Sequence, residues 1–203
     1  MATKYIAIAG NMGSGKSSLV DFLCHQYELK PFFEPHDVNP FLGLFYTDMK
    51  RWAFHSQMHF LTQKFRIHQE LDHFTGTVIQ DRTIYEDDVI FALNLYRQGC
   101  LSKEEFRTYR HLYDSILAEI NPPDLLIYLE CPLRALQQRI AHRGRVLEKH
   151  APDDYLRRLD RFYKRWIEKY DRSPIMKLST AKMDYLSDFI DRQDLLKRIE
   201  RYV

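Results

Sequence analysis

Nine consecutive residues, Gly10-Asn11-Met12-Gly13-Ser14-Gly15-Lys16-Ser17-Ser18, combine three glycines, one lysine and three hydroxyls. The first eight satisfy the spacing G-x-x-x-x-G-K-[ST]. The chemistry of that spacing is phosphate binding. Glycine lets the backbone turn so that successive N–H groups point inward at phosphate oxygens. A helix beginning at Lys16 adds the partial positive charge of its first turn. Lys16 is placed to hold β- and γ-phosphates, and Ser17 to offer its hydroxyl to Mg²⁺. The whole chain has 7 glycines, so three within residues 10–15 mark a local demand on the backbone.

Other residues have types suited to the opposite side of a phosphoryl transfer. Glu34 follows a short strand, and a carboxylate there can take the proton of an attacking hydroxyl. Asp81-Arg82 closes another strand. Asp81 is placed to help hold Mg²⁺, directly or through water. Arg82 is placed to neutralise developing charge and to orient Glu34. Gln57 and Lys64 lie seven apart on one helix and share a face. A Gln amide offers a donor beside an acceptor, which matches a nucleobase edge, although an aromatic core stripe with polar residues at its rim fits the same pattern. Arg139, Arg143 and Arg145 crowd a helix end at Gly144. Residues 130–172 hold twelve Lys/Arg and seven Asp/Glu, a local +5. Such arginines can close over a triphosphate as a lid spanning about residues 139–150; a solvated basic face is the plainer reading.

These residues need a scaffold, and the pattern predicts one. Tyr5 to Ala9 is continuously apolar, as in a strand buried on both faces. A helix is predicted over Lys16–Tyr27, a strand over Pro31–Phe33 and a long helix over Asp48–Phe74. Phe54, Met58, Leu61 and Phe65 form that long helix's apolar stripe. Thr77–Gln80 reads as a strand, and the helix after it stops at Gly99. Ser102 with Glu105 reads as a capping box. Pro122-Pro123 breaks that helix before a strand over Asp124–Leu129. Pro132 opens a helix ending at Gly144, and a basic helix covers Pro152–Arg172. Ile175–Leu178 is the last strand and Ser187–Tyr202 the last helix. Strands alternating with helices predict an α/β fold with a five-stranded parallel sheet flanked by helices, in one domain over residues 1–203.

Composition excludes several classes. The chain has 203 residues, 45% apolar and 29% charged, with a formal net charge of +2. That balance gives no global field calling for nucleic acid or a membrane surface. Cys24, Cys100 and Cys131 share no metal-binding spacing, and their odd number fits a reducing, cytoplasmic setting better than a disulfide scaffold. The apolar run Leu125–Leu129 is far too short to span a bilayer.

In order along the chain, GNMGSGKSS, FFEP at Glu34, FYTDMKRWAFHSQ from Phe45, DRTIYEDDVIFA from Asp81 and RIAHRGRVLE from Arg139 resemble the deoxynucleoside kinase family, most of all its bacterial deoxyadenosine/deoxyguanosine kinase members. The resemblance implies a P-loop kinase fold and ATP-dependent, Mg²⁺-assisted phosphorylation of a deoxynucleoside 5′-hydroxyl, in nucleotide salvage. It implies Glu34 as general base, Tyr46 and Glu148 on the sugar 3′-hydroxyl, and Gln57 and Asp87 on the base edge. Arg82 would stand beside the 5′-oxygen, Asp81 near the metal, and Arg139, Arg143 and Arg145 on the phosphates and donor adenine. Two departures stand out. Lys64 replaces an arginine near the base, and Asp81-Arg82-Thr83 replaces the commoner Glu-Arg-Ser. The second, with Ile84-Tyr85-Glu86-Asp87, points to purines, deoxyadenosine first. Homodimerisation is implied by the family alone. A thymidylate-type monophosphate kinase is the alternative; its anionic acceptor calls for an arginine where Glu34 stands. A nucleotide-binding module without catalysis is the other.

Overall fold

The computed structural model describes residues 3–34, 38–143, 153–181 and 183–203, without the side chain of Arg143. Five strands form one sheet: β1 (Lys4–Gly10), β2 (Leu29–Phe32), β3 (Thr77–Asp81), β4 (Leu125–Glu130) and β5 (Ile175–Ser179). Their order is β2-β3-β1-β4-β5, and every neighbouring pair is parallel. The expected five-stranded parallel architecture is therefore present. From β1 the chain turns to one side for β2 and β3 and to the other for β4 and β5. The phosphate loop lies at the carboxyl end of β1, at this switch point, where open parallel sheets leave a crevice.

The apolar run of β1 has a direct structural cause. Tyr5, Ala7 and Ala9 enter the core on one face, with Leu126 and Tyr128 of β4. Ile6 and Ile8 enter the other, with Leu125, Ile127 and Leu129. Neighbouring residues of a strand point to opposite faces, so a strand covered on both sides has no polar phase. Helix α7 (Asp153–Lys169) covers the first face through Tyr155, Leu159, Tyr163 and Ile167. Helices α1 (Lys16–Gln26) and α8 (Phe189–Ile199) cover the second through Leu19, Val20, Leu23, Leu195 and Ile199.

A third apolar cluster joins α2 (Leu42–Thr47), α3 (Met49–His73), α4 (Leu93–Arg97) and α5 (Lys103–Leu117). Helix α6 (Leu133–Arg143) follows β4, and a short 3₁₀ turn, Glu200–Tyr202, ends the chain. Caps fix the boundaries. Asp48 accepts from the Arg51 N–H at the start of α3, and Ser102 with Glu105 forms the expected reciprocal capping box on α5. Gly99 adopts φ +70, the left-handed conformation suited to stopping α4.

Three expectations change. The buried face of α3 is Ala53, Ser56, Gln57, Leu61, Lys64, His68 and Leu71, whereas Phe54, Met58 and Phe65 are only partly buried on its flank. The apolar count favoured the aromatics; Ser56 and Lys64 are buried because partners meet them, Asn39 for the first and Asp87 with the Thr83 carbonyl for the second. Helix α2 was not anticipated. It is six residues long and has no side-chain cap, so docking of Phe45 in the third cluster, rather than a local signal, supports it. Asp87–Ala92 forms a π-helical turn leading into α4, a widened backbone frequent at functional sites.

Losing the Ser102 cap in Ser102→Ala is expected to cost about 1 kcal/mol. Thermal denaturation should show a midpoint lower by about 2–4 °C, with the β-sheet signal intact.

Candidate active site

The phosphate loop is shaped by what packs against it. Gly13 has φ +74, and a Cβ there would meet Ile140 Cγ1 of α6 at 2.9 Å and the Leu136 carbonyl at 3.0 Å. Only glycine allows α6 this close. Lys16 is buried and folds back over the loop, its ammonium donating to the carbonyls of Gly10 (3.0 Å) and Asn11 (3.2 Å). Burial and the nearby Arg82 bring its pKa down to about 8. The Ser17 hydroxyl donates to Asp81 Oδ2 at 2.6 Å. β3 pairs Asp81 with Ile8 of β1, which delivers the carboxylate to the loop. Asp81 Oδ1 is buried without a hydrogen-bond partner among the described residues.

On the far side of the loop four charged side chains share one buried site. Arg82 Nε lies 3.1 Å from Glu34 Oε2. The Lys64 ammonium lies 3.5 Å from Glu34 Oε1, forms an ion pair with Asp87 and donates to the Thr83 carbonyl at 3.1 Å. The Glu34 and Asp87 side chains are each 5% exposed. Arg82 adopts φ +66, a left-handed conformation that costs energy for a non-glycine residue. Its N–H donates to the Ile8 carbonyl, and its guanidinium lies over the Phe91 ring, 4.7 Å from the centroid. Burial opposes the Arg82 charge, but Glu34, Tyr163, Glu86 and Asp81 more than offset it and hold its pKa well above the ordinary arginine value. Burial raises the Asp87 pKa as well, to about 7, despite the opposing charge of Lys64.

Gln57 is buried on the α3 face that carries Lys64. Tyr46 lies on α2, half-buried, with its ring 5.3 Å from that of Phe45. Arg139 reaches from α6 to the loop, donating to the Ser14 carbonyl at 3.2 Å and to the Thr180 hydroxyl at 3.2 Å. On the α6 side of the loop opens a cavity of about 1240 Å³, lined by residues 13–18, Gln138, Arg139, His142 and residues around Tyr185; Glu34, Gln57, Arg82 and Asp87 do not line it. The structure thus brings together Lys16, Ser17, Asp81 and Arg139 at one end, and Glu34, Arg82, Lys64 and Asp87 at the other. The Arg143 side chain, Arg145 and Glu148 lie outside the described residues, as does most of the expected lid.

The deoxynucleoside kinase family model matches residues 6–203. The chain belongs to the deoxynucleoside kinase family. It is 35% identical to the deoxyadenosine/deoxycytidine kinase of Bacillus subtilis (strain 168), covering 96% of this chain and 90% of that one. It is 38% identical to a deoxyguanosine kinase of Lactobacillus acidophilus, covering 96% and 88%. A deoxyadenosine kinase of the same bacterium is 33% identical, over 96% and 94%. Among solved structures, deoxyadenosine kinase from M. mycoides with bound dATP superposes with a TM-score of 0.84 at 26% identity, covering 97% and 99%. The same kinase with products dCMP and a flexible dCDP gives a TM-score of 0.86 at 24% identity over the same shares. This deoxynucleoside kinase thus has the P-loop kinase fold and is an enzyme. No helix among its described residues is long and apolar enough to cross a membrane.

Two residues of this kinase's site, Glu86 and Tyr163, were not anticipated, and one that was, Asn11, has a further contact. The Asn11 amide does more than line the loop: it donates to the Leu156 carbonyl of α7 at 3.1 Å. Glu86 and Tyr163 are fully buried between the loop and α7. The Glu86 signal was present as Thr83-x-x-Glu86, a capping-box spacing, whereas nothing local marks Tyr163.

Removing one partner of a buried ion pair leaves an uncompensated charge. Lys64→Met is therefore expected to lose about 3–5 kcal/mol in urea denaturation, with part of the loss recovered when Asp87→Asn is added. The Asp87 carboxyl also sets a pH dependence. Its pKa rises on folding from about 4 to about 7, so its contribution to stability is full below the lower value and disappears as pH rises through the upper one. The unfolding free energy of the kinase minus that of Asp87→Asn should decline between those values; an increase over that interval would refute the assignment.

Proposed function

We propose that the kinase transfers the γ-phosphoryl group of ATP to the 5′-hydroxyl of a purine deoxynucleoside, deoxyadenosine first, in nucleotide salvage. The observation that carries this reading is the buried Glu34 carboxylate, held by Arg82 at 3.1 Å and close enough to Lys16 to influence its charge. An acid so placed suits a neutral alcohol as acceptor. A monophosphate acceptor would meet repulsion from it, which argues against the thymidylate-type alternative.

In this reading Glu34 receives the 5′-hydroxyl proton, and Arg82 orients Glu34 while facing the charge that develops on the phosphoryl oxygens. The loop amides and Lys16 hold the β- and γ-phosphates. Ser17 and Asp81 fit Mg²⁺ well: both present hard oxygen donors, and Asp81 Oδ1 is a buried acceptor awaiting a partner. When bound, Mg²⁺ neutralises charge on the phosphate oxygens. Arg139, Arg143 and Arg145 would close over the triphosphate as a lid spanning about residues 139–150, and the whole chain would act as one catalytic unit. Tyr46 and Glu148 would hold the 3′-hydroxyl.

Donor counting supports a base with an amino group beside a ring nitrogen, as in adenine or cytosine, over thymine. An ammonium has three N–H donors. Lys64 faces Thr83 O, Asp87 Oδ1 and Glu34 Oε1, which leaves none for a base. Asp87 Oδ2 is a buried acceptor without a hydrogen bond, and Gln57 adds an adjacent donor and acceptor. Such an edge suits the amino group and ring nitrogen of adenine. It gives poor support to the carbonyls of thymine.

ADP production measured against the four deoxynucleosides and their ribose counterparts tests the reading. Turnover should be highest with deoxyadenosine and absent with thymidine monophosphate. Glu34→Gln should lower kcat by about 10²–10⁴-fold with ATP binding retained. Activity in that variant close to the unaltered level would remove Glu34 as the base.

A further inference from the structure

Two glutamates of this chain sit three residues after a Ser or Thr at the start of a helical segment. Glu105 caps the Ser102 N–H at 2.7 Å from an exposed position, as a capping carboxylate ordinarily does. Glu86 does the same for Thr83, its Oε2 accepting from the Thr83 N–H at 2.7 Å and the Thr83 hydroxyl at 3.3 Å. Glu86, however, is 0% exposed. Burying a carboxylate costs several kcal/mol unless hydrogen bonds and opposite charges repay it, and capping alone does not require burial.

The second oxygen of Glu86 accounts for the difference. Oε1 accepts from the Tyr163 hydroxyl of α7 at 2.6 Å and lies 3.4 Å from the Gly10 N–H, the first amide of the phosphate loop. Its charge is felt by both Lys16 and Arg82. One carboxylate therefore touches the donor loop, the turn after Arg82 and the helix that follows the lid segment. That turn is strained at Arg82, φ +66. It is pinned on one side by the Arg82 N–H on the Ile8 carbonyl and on the other by Thr83 on Glu86.

We infer that Glu86 is a positioning residue: it holds the Arg82 turn and the phosphate loop in one register, with Tyr163 anchoring it to α7. Without it the left-handed turn relaxes, the guanidinium moves off Glu34, and the first loop amide loses its fixed direction. The inference rests on residues 10–18 binding a triphosphate and on Arg82 working beside Glu34.

The test is steady-state kinetics, calorimetric ATP titration and thermal denaturation on Glu86→Gln, Tyr163→Phe and the double variant. Glu86→Gln keeps size and shape, and misplacement of reacting groups should lower its kcat about 100-fold with the deoxynucleoside KM nearly unchanged. Tyr163→Phe keeps the ring and removes one bond, so a smaller loss is expected, with weaker ATP binding. The double variant should be no worse than Glu86→Gln, because both changes break one link. Multiplicative losses in the double variant, or losses that merely follow the fraction folded, would overturn the inference. Should Glu86→Gln not fold, Tyr163→Phe alone decides: unchanged kcat and ATP affinity refute the link. If the unaltered protein binds ATP but phosphorylates no deoxynucleoside, the proposed function fails, while the ATP affinities of the variants still decide the role of Glu86.

Discussion

A carboxylate removed from water must be met by opposite charge or by hydrogen-bond donors, or it will not stay ionised. Four carboxylates, Glu34, Asp81, Glu86 and Asp87, lie buried around the crevice, against three buried cations, Lys16, Lys64 and Arg82. Each acid is kept by a specific partner: Glu34 by Arg82, Asp87 by Lys64, Asp81 by the Ser17 hydroxyl, Glu86 by Tyr163 and the Thr83 amide. The balance explains why the surroundings are so constrained. Moving any one of these side chains by an ångström leaves another group buried and unpaired. Lys16 is the buried cation that none of these acids takes as its close partner: its ammonium donates to the Gly10 and Asn11 carbonyls of the loop.

The parallel sheet makes this arrangement possible. β3 lies beside β1, so Asp81, Arg82 and Thr83 leave the sheet next to the phosphate loop. β2 lies on the far side of β3 and brings Glu34 to the same edge. Helix α3 then crosses the open side and lowers Gln57 and Lys64 into the gap. The π-helical turn after β3 places Asp87 opposite Lys64, and Phe91 of the same turn supports the Arg82 guanidinium. Each element thus contributes at least one charged group, the end of β3 two, and the groups bind the elements together in return.

The lysine at position 64, where the family resemblance implies an arginine, acquires a physical meaning in this setting. An arginine fork could pair with a carboxylate and still present donors to a ligand. The ammonium of Lys64 has oxygens from three residues around it and is enclosed by protein. Its contribution is to neutralise Glu34 and Asp87 together, so the two buried carboxylates share one counter-ion.

Much of this protein was determined by local sequence. Residues 10–18 specify a phosphate loop because glycine spacing, a preceding apolar strand and a following helix all act within a few residues of one another. The alternation of strands and helices, the unbroken apolar phase of β1 and the cap at Ser102 are equally local, and the fold class followed from them. The tertiary structure alone decided which face of α3 is buried, that Leu42–Thr47 is helical, that Lys64 is enclosed by oxygens rather than open to a base, and that Glu86 joins three elements. The reason is that burial of a polar side chain depends on partners far along the chain. Glu86 and Tyr163 are separated by 77 positions, and no periodicity or spacing records that they meet.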